Sequence, residues 1–240
     1  DLHKEYRRQR QMCIRDSFYG GSESANAINT FSPDSKVIIV LRNPVDRLFS
    51  FYKYKKSLGH IDGNLNFTKY IEESKKISSD QPIRKENYDF WAMIGGKYVS
   101  LLSEWHDVFG SRMRIYFFDD MVSDEPQFIE EICKWLELDF SQIGSKRTRV
   151  ENKSMVYRSK GLQRVATSFD RMFSGVWYYL PWLKWPFSGI YNLLNAKPHT
   201  ETISDSLRSE LVRYYQKDID QTCDFLEKRQ IGNLPGWLIK

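Results

Sequence analysis

The string VIIVLRNPVDRLFSFY at residues 37–52 constrains this chain more than any other feature. Its first five residues, Val37–Leu41, are aliphatic with no polar alternation, the pattern of a strand buried on both faces of a parallel sheet. Asn43-Pro44 ends that strand: Asn43 has the side chain of a helix cap, and Pro44 suits a first helical turn, where its missing N–H costs nothing. Leu48, Phe49, Phe51 and Tyr52 then give the following helix a broad apolar surface. The string predicts a strand, a tight turn and a helix whose N-terminus faces the end of the strand.

That junction has a chemical consequence. Arg42, at the end of a buried strand, offers a planar and permanently charged fork, and the helix N-terminus adds free N–H groups and the positive end of a dipole. Together they make a seat for an oxyanion such as a phosphate monoester. Ser50 lies about two turns into the helix, where its hydroxyl can donate to the same anion. Arg47, one turn from the cap, suits an internal salt bridge better than a ligand contact.

Further elements follow in order. A short helix is predicted over Phe67–Lys75, and Gly95-Gly96 punctuates the chain before a helix whose apolar positions are Tyr98, Leu101, Leu102, Trp105, Val108 and Phe109, stopped by Gly110. Met113–Phe118 reads as a second buried strand, and Asp124 as the cap of a helix carrying Phe128, Ile129, Ile132, Cys133 and Leu136, with Pro126 in its first turn. A long helix is predicted near Ser204–Lys228. Strands separated by helices imply an α/β fold, a parallel sheet with right-handed crossovers that places ligands at the carboxyl ends of its strands. Arg42 and Asp119-Asp120 stand at such ends. No His or carboxylate cluster accompanies the two aspartates, so they read as strand-end hydrogen-bonding groups, and no metal is implied.

Composition narrows the partners. A chain of 240 residues, 41% of them hydrophobic, is long enough for one good core, and its net charge of +5 suits an anionic ligand. Blocks of basic residues long enough for a nucleic-acid arm are missing, so no nucleic-acid partner is expected. Residues 1–17 hold five basic against three acidic side chains, lack periodicity and read as a non-native or disordered tail; RQRQMCIRDS resembles translated sequencing adapter. Residues 18–165 form the expected α/β core, and 166–240 a helical, aromatic-rich part of the same domain. Cys13, Cys133 and Cys223 give no disulfide framework, and the last two read as buried free thiols on apolar helix faces. His60 in a polar loop and His106 beside a core-facing Trp read as surface or satisfied residues, so no catalytic base is assigned. The aromatic stretch Met172–Tyr191 is interrupted by Pro181 and Pro186 and is too broken to span a bilayer. Three roles fit it: packing on the core, lining an acceptor cleft, or membrane-surface contact.

The pattern R-N-P-x-x-R-x-x-S, behind an apolar strand, resembles the 3′-phosphate-binding motif of sulfotransferases that use 3′-phosphoadenosine 5′-phosphosulfate. GKYVSLLSEWHDVFG resembles that family's G-x-Y-x-x-x-L-x-x-W-x-x-x-F helix, and RIYFFDDM its strand ending in Glu/Asp-Asp-Leu. The resemblance covers roughly residues 21–165, most closely the carbohydrate-type and bacterial members. It implies a three-layer, P-loop-like parallel sheet flanked by helices, with the first strand outside this sequence. It further implies that Arg42 and Ser50 hold the 3′-phosphate of the donor, that Ser159, Lys160 and Gly161 in the string RSKG belong to a basic loop over the cofactor, and that the acceptor is a hydroxyl or amine, of a carbohydrate or another small molecule. Two departures stand out. The family's Lys/Arg-x-Gly-Thr-Thr-type loop for the 5′-phosphosulfate has no counterpart before Gly20, and GSESAN at 21–26 inverts the order of the family's Gly-Glu-Ser/Lys segment. The sequence as it stands is accordingly expected to bind the 3′-phosphate end of the donor without transferring the sulfuryl group.

Two other readings remain open at this point. A kinase-like phosphotransferase shares the sheet and the phosphate seat but calls for G-x-x-x-x-G-K-[ST], which does not occur in this sequence. A non-catalytic module for nucleotides or sulfated glycans needs only the seat. The compartment stays unassigned: cytoplasm for a bacterial source, Golgi lumen for a eukaryotic one.

Overall fold

The structure is a computed structural model that describes residues 17–78, 87–143, 155–157, 196–198 and 201–239. In chain order these residues form α1 (Gly21–Phe31), β1 (Val37–Leu41), α2 (Pro44–Ser57), α3 (Phe67–Lys75), α4 (Val99–Phe109), β2 (Met113–Phe117), α5 (Phe118–Ser123), α6 (Glu125–Leu136), β3 (Met155–Tyr157), β4 (Ala196–Pro198) and α7 (Asp205–Glu227). The first seventeen residues, apart from Ser17, and the stretches 158–161 and 172–191 lie outside the described residues.

The chain divides into two compact units. One takes Asp1–Arg47, Ile94–Thr148 and Arg208–Lys240, the other Leu48–Met93 and Arg149–Leu207. In the first, β1 and β2 pair in parallel, from Val37 opposite Met113 to Leu41 opposite Phe117. A parallel pair flanked by helices is the α/β arrangement the sequence predicts.

Local chemistry sets the ends of these elements. Asn43 caps α2, its Oδ1 accepting from the Val45 amide at 2.9 Å and the Asp46 amide at 3.4 Å. Asp124 caps α6 by accepting from the Gln127 amide at 3.0 Å, and Gly110 closes α4 with φ of +51°, a left-handed conformation glycine adopts without steric cost. Arg112, just before β2, reaches back to the loop ahead of β1. Its guanidinium donates to Asn29 Oδ1 at 2.8 Å, to the Ser35 carbonyl at 3.2 Å and to the Pro33 carbonyl. That brace ties the approach of one strand to the start of the other.

The core of the first unit joins Leu102, Trp105 and Phe109 of α4 to the inner residues of β2, and Phe128 of α6 meets Tyr116 edge-on at 5.5 Å. Leu211, Tyr215 and Leu226 bring α7 into it, each 1% exposed or less. Burying a leucine fully is worth about 1.5–3 kcal/mol, so this stripe of α7 secures the C-terminal segment. Cys133 and Cys223 are buried free thiols, as the sequence predicts.

Two expectations are corrected. The apolar run VIIVL predicts a strand covered on both faces, yet Val40 is 45% exposed while Leu41 is 2% exposed. Successive strand residues point to opposite faces, and a run of aliphatic residues does not report how many elements are laid over each one. The second strand ends at Phe117 rather than Phe118, because the chain turns directly into α5; Asp119 and Asp120 therefore stand in a helical first turn.

In the second unit, an aromatic cluster forms around Tyr52, with Phe67 at 5.2 Å and Tyr70 at 5.1 Å. Glu201 ties it down: its carboxylate accepts from the Phe67 amide at 2.6 Å, the Tyr52 hydroxyl at 2.7 Å and Lys56 Nζ at 3.3 Å. β3 and β4 pair antiparallel, from Met155 opposite Pro198 to Tyr157 opposite Ala196.

Candidate functional site

The carboxyl ends of β1 and β2 open into a crevice of about 350 Å³ lined by Arg42, Asn43, Asp46, Phe118, Asp119, Val122 and Ser123. Each lining residue has a reason to be there. Arg42 follows the last residue of β1, Asn43 and Asp46 belong to the capped start of α2, and the remaining four come from α5, which β2 feeds directly.

Arg42 is the cation among the residues lining this crevice, which also include the carboxylates of Asp46 and Asp119. Its guanidinium lies 4.3 Å over the Phe118 ring, and among the described residues it has no carboxylate partner. The neighbouring carboxylates are engaged elsewhere: Asp46 takes Arg208 at 2.8 Å, and Asp119 accepts from the Trp237 indole at 3.2 Å. The Arg42 main chain is fixed as well, because the buried Tyr98 hydroxyl donates to its carbonyl at 2.8 Å. Burial, moderated by the charge of Arg47, holds the Tyr98 hydroxyl up at about 12, so it remains a donor throughout the physiological range. The result is an arginine fork with free donors in an open crevice, beside a helix N-terminus whose Val45 and Asp46 amides are taken by the Asn43 cap. A guanidinium with free donors in an open crevice has the chemistry to hold a phosphate or sulfate oxyanion.

Asp120, which lines a different and larger cleft, has its carboxyl raised by burial and by the charges of Asp119 and Glu131. That cleft, about 680 Å³, runs beside β2 and is lined by His106, Arg114, Tyr116, Glu131, Trp135 and Arg229 among others. The larger cleft carries guanidinium groups of its own, Arg114 and Arg229, and what sets the smaller crevice apart is its place at the capped start of α2, inside the string 37–52. His106 faces this larger cleft with its pKa lowered by burial and by Arg229; it takes no part in the anion seat.

The chain belongs to the sulfotransferase domain family. That family matches residues 24–175, and the Arg42 crevice falls inside the match. Relatives include the bifunctional heparan sulfate N-deacetylase/N-sulfotransferase 1 of Caenorhabditis elegans, 28% identical over 113 residues, which are 44% of this chain and 12% of that protein. Its Caenorhabditis briggsae counterpart is 25% identical over 130 residues, 51% of this chain and 14% of the relative. The chain therefore spans a small fraction of the length of these relatives. A solved sulfotransferase from Alicyclobacillus acidocaldarius shares the fold with a TM-score of 0.57 at 17% identity, over 92% of this chain and 64% of that one.

Within the sulfotransferase domain, the residues singled out from sequence fare differently. Arg42 stands in the crevice. Ser50 is the seventh residue of α2, about 9 Å along the helix axis from Pro44, and its hydroxyl makes no hydrogen bond among the described residues. Ser159, Lys160 and Gly161 lie outside the described residues, as does Met172–Tyr191. Arg47 donates to the Tyr19 hydroxyl, and its guanidinium lies 5.5 Å from the centre of that ring. His60 is a half-exposed loop residue whose Nδ1 lies 3.4 Å from both Lys55 Nζ and Asp89 Oδ1, beside the direct Lys55–Asp89 ion pair at 2.6 Å. Sequence reasoning missed Phe118 under the guanidinium, Tyr98 on the Arg42 carbonyl and Trp237 on Asp119. Only the aromatic preceding Asp119-Asp120 offered a local signal.

Proposed function

We propose that this sulfotransferase domain takes 3′-phosphoadenosine 5′-phosphosulfate as donor and serves a hydroxyl or amine acceptor on a carbohydrate. The observation that carries the donor assignment is Arg42: an arginine fork without a carboxylate partner among the described residues, at the end of a parallel strand and beside a capped helix N-terminus. Those residues fit the 3′-phosphate, which needs charge-assisted donors in a fixed plane. Ser50, further along the same helix, is the second proposed contact, and Ser159, Lys160 and Gly161 are the proposed basic loop over the nucleotide.

When bound, the donor supplies an activated sulfuryl group whose transfer depends mainly on positioning and charge stabilisation, by analogy with phosphoryl transfer. Arg42 orients the nucleotide by its far end. It does not touch the reacting bond, so its contribution is to binding. Asp46 and Asp119, the two carboxylates of the crevice, are occupied by Arg208 and Trp237, so neither is assigned as the base that takes the acceptor proton. The carbohydrate acceptor is supported by the relatives, whose name places heparan sulfate as their substrate.

Calorimetry with adenosine 3′,5′-bisphosphate and adenosine 5′-monophosphate tests the donor reading: the bisphosphate is expected to bind tighter by at least tenfold, and equal affinities would remove the 3′-phosphate seat. Saturation-transfer NMR with a glucosamine oligosaccharide and a simple phenol, each in the presence of the bisphosphate, tests the acceptor class. A signal from the phenol alone would overturn it.

A further inference from the structure

We infer that Tyr98 is a positioning residue for the anion seat, holding the Arg42 main chain so that the guanidinium points into the crevice; the inference rests on the reading of Arg42 above. Arg42 lies one residue beyond the last rung of the β1–β2 ladder, where the regular pairing of Val37–Leu41 has ended. Its carbonyl needs another partner, and the Tyr98 hydroxyl supplies one at 2.8 Å. Tyr98 is 4% exposed, so water has little access to replace that donor.

Tyr98 is itself held from a third element. Asp218 of α7 accepts from the Tyr98 amide at 2.7 Å and the Val99 amide at 3.4 Å, capping α4 from outside, and Thr222 donates to the same carboxylate at 3.5 Å. Burial raises the Asp218 carboxyl even though the two amides pull it down. The Arg42 side chain, meanwhile, rests on Phe118 at the start of α5. Main chain and side chain of one arginine are thus fixed from two directions, and the aim of the fork depends on both. Removing the Tyr98 hydroxyl takes the partner from a part-buried carbonyl and lets the strand end shift, and small misplacements of a charged fork are costly.

The test is calorimetry of wild type, Tyr98→Phe, Arg42→Ala and the double variant against adenosine 3′,5′-bisphosphate and adenosine 5′-monophosphate, with circular dichroism as a folding check. Tyr98→Phe is expected to weaken the bisphosphate by about threefold to tenfold, leave the monophosphate unchanged, and add nothing once Arg42 is gone. Equal loss for both nucleotides, or an undiminished loss in the Arg42→Ala background, would overturn the inference in favour of a purely structural role. If Arg42→Ala alone left bisphosphate affinity intact, the reading of Arg42 would fall and this inference with it, a result separable from failure of Tyr98 alone. Should Tyr98→Phe not fold, Asp218→Asn carries the same comparison: selective loss of the bisphosphate supports the inference, and equal loss overturns it.

Discussion

The Arg42 guanidinium lies 4.3 Å over the Phe118 ring, so the charge at the end of β1 is held by the first side chain after β2. Parallel pairing makes this possible: Leu41 and Phe117 are opposite one another in the ladder, and the residues that follow them emerge at the same end. A cation over an aromatic face keeps all its N–H donors in the plane of the fork, free for an anion.

Arg42→Ala is therefore expected to weaken adenosine 3′,5′-bisphosphate by about 1.5–3 kcal/mol, the worth of a hydrogen-bonded charge, while the circular-dichroism spectrum stays native. Ser50→Ala removes only a neutral donor and should cost about 0.5–1.5 kcal/mol. Calorimetry on both variants checks the order; a larger loss from Ser50→Ala would mean that the roles of the two residues are reversed.

Phe118→Leu keeps an apolar side chain but takes away the ring face. Loss of a partly exposed cation–π contact is worth about 0.5–1 kcal/mol, or roughly twofold to fivefold in affinity for the bisphosphate. The measurement is again calorimetric, and an unchanged affinity would show that the ring does not orient the fork.

The strand–turn–helix at residues 37–52 was legible because each of its decisions is local: an aliphatic run, an Asn cap and a Pro in the first turn. The bounds of α3 and the capping of α6 by Asp124 were legible for the same reason. Tyr98 meets Arg42 across 56 positions of sequence and Asp218 meets Tyr98 across 120, and no periodicity encodes such pairings. The covering of β1 was misread on the same ground, since an apolar run records what a strand tolerates and not what is packed over it. Motif recognition reached Arg42 and Ser50 without showing what holds either in place.

Gly96 shows a constraint of the long-range kind. A Cβ built there would stand 2.8 Å from the Tyr215 ring, and Tyr215 is 0% exposed, so the ring has nowhere to withdraw. Gly96→Ala is expected to destabilise the protein by about 1–3 kcal/mol through overpacking, despite the better helical propensity of alanine. Urea unfolding followed by fluorescence reads this directly. A stability at or above wild type would show that Tyr215 gives way.

Acid should release the clamp around Tyr52. Burial alone would raise the Glu201 carboxyl, but hydrogen bonds from Tyr52 and the Phe67 amide, with the Lys56 charge, bring it below its ordinary value of 4.5. The same burial and the same carboxylate push the Tyr52 hydroxyl up, so the phenol stays the donor of that bond. A carboxyl with a depressed folded-state pKa favours the fold when ionised: its contribution is fully present above the unfolded value and lost as pH falls through the folded one. Wild type is then expected to melt higher than Glu201→Gln at neutral pH, with the difference shrinking as pH drops below about 4.5. Thermal melts of both proteins across that range decide the point, because a gap that stays constant into acid would mean the Glu201 charge contributes nothing to holding Tyr52, Lys56 and the start of α3 together.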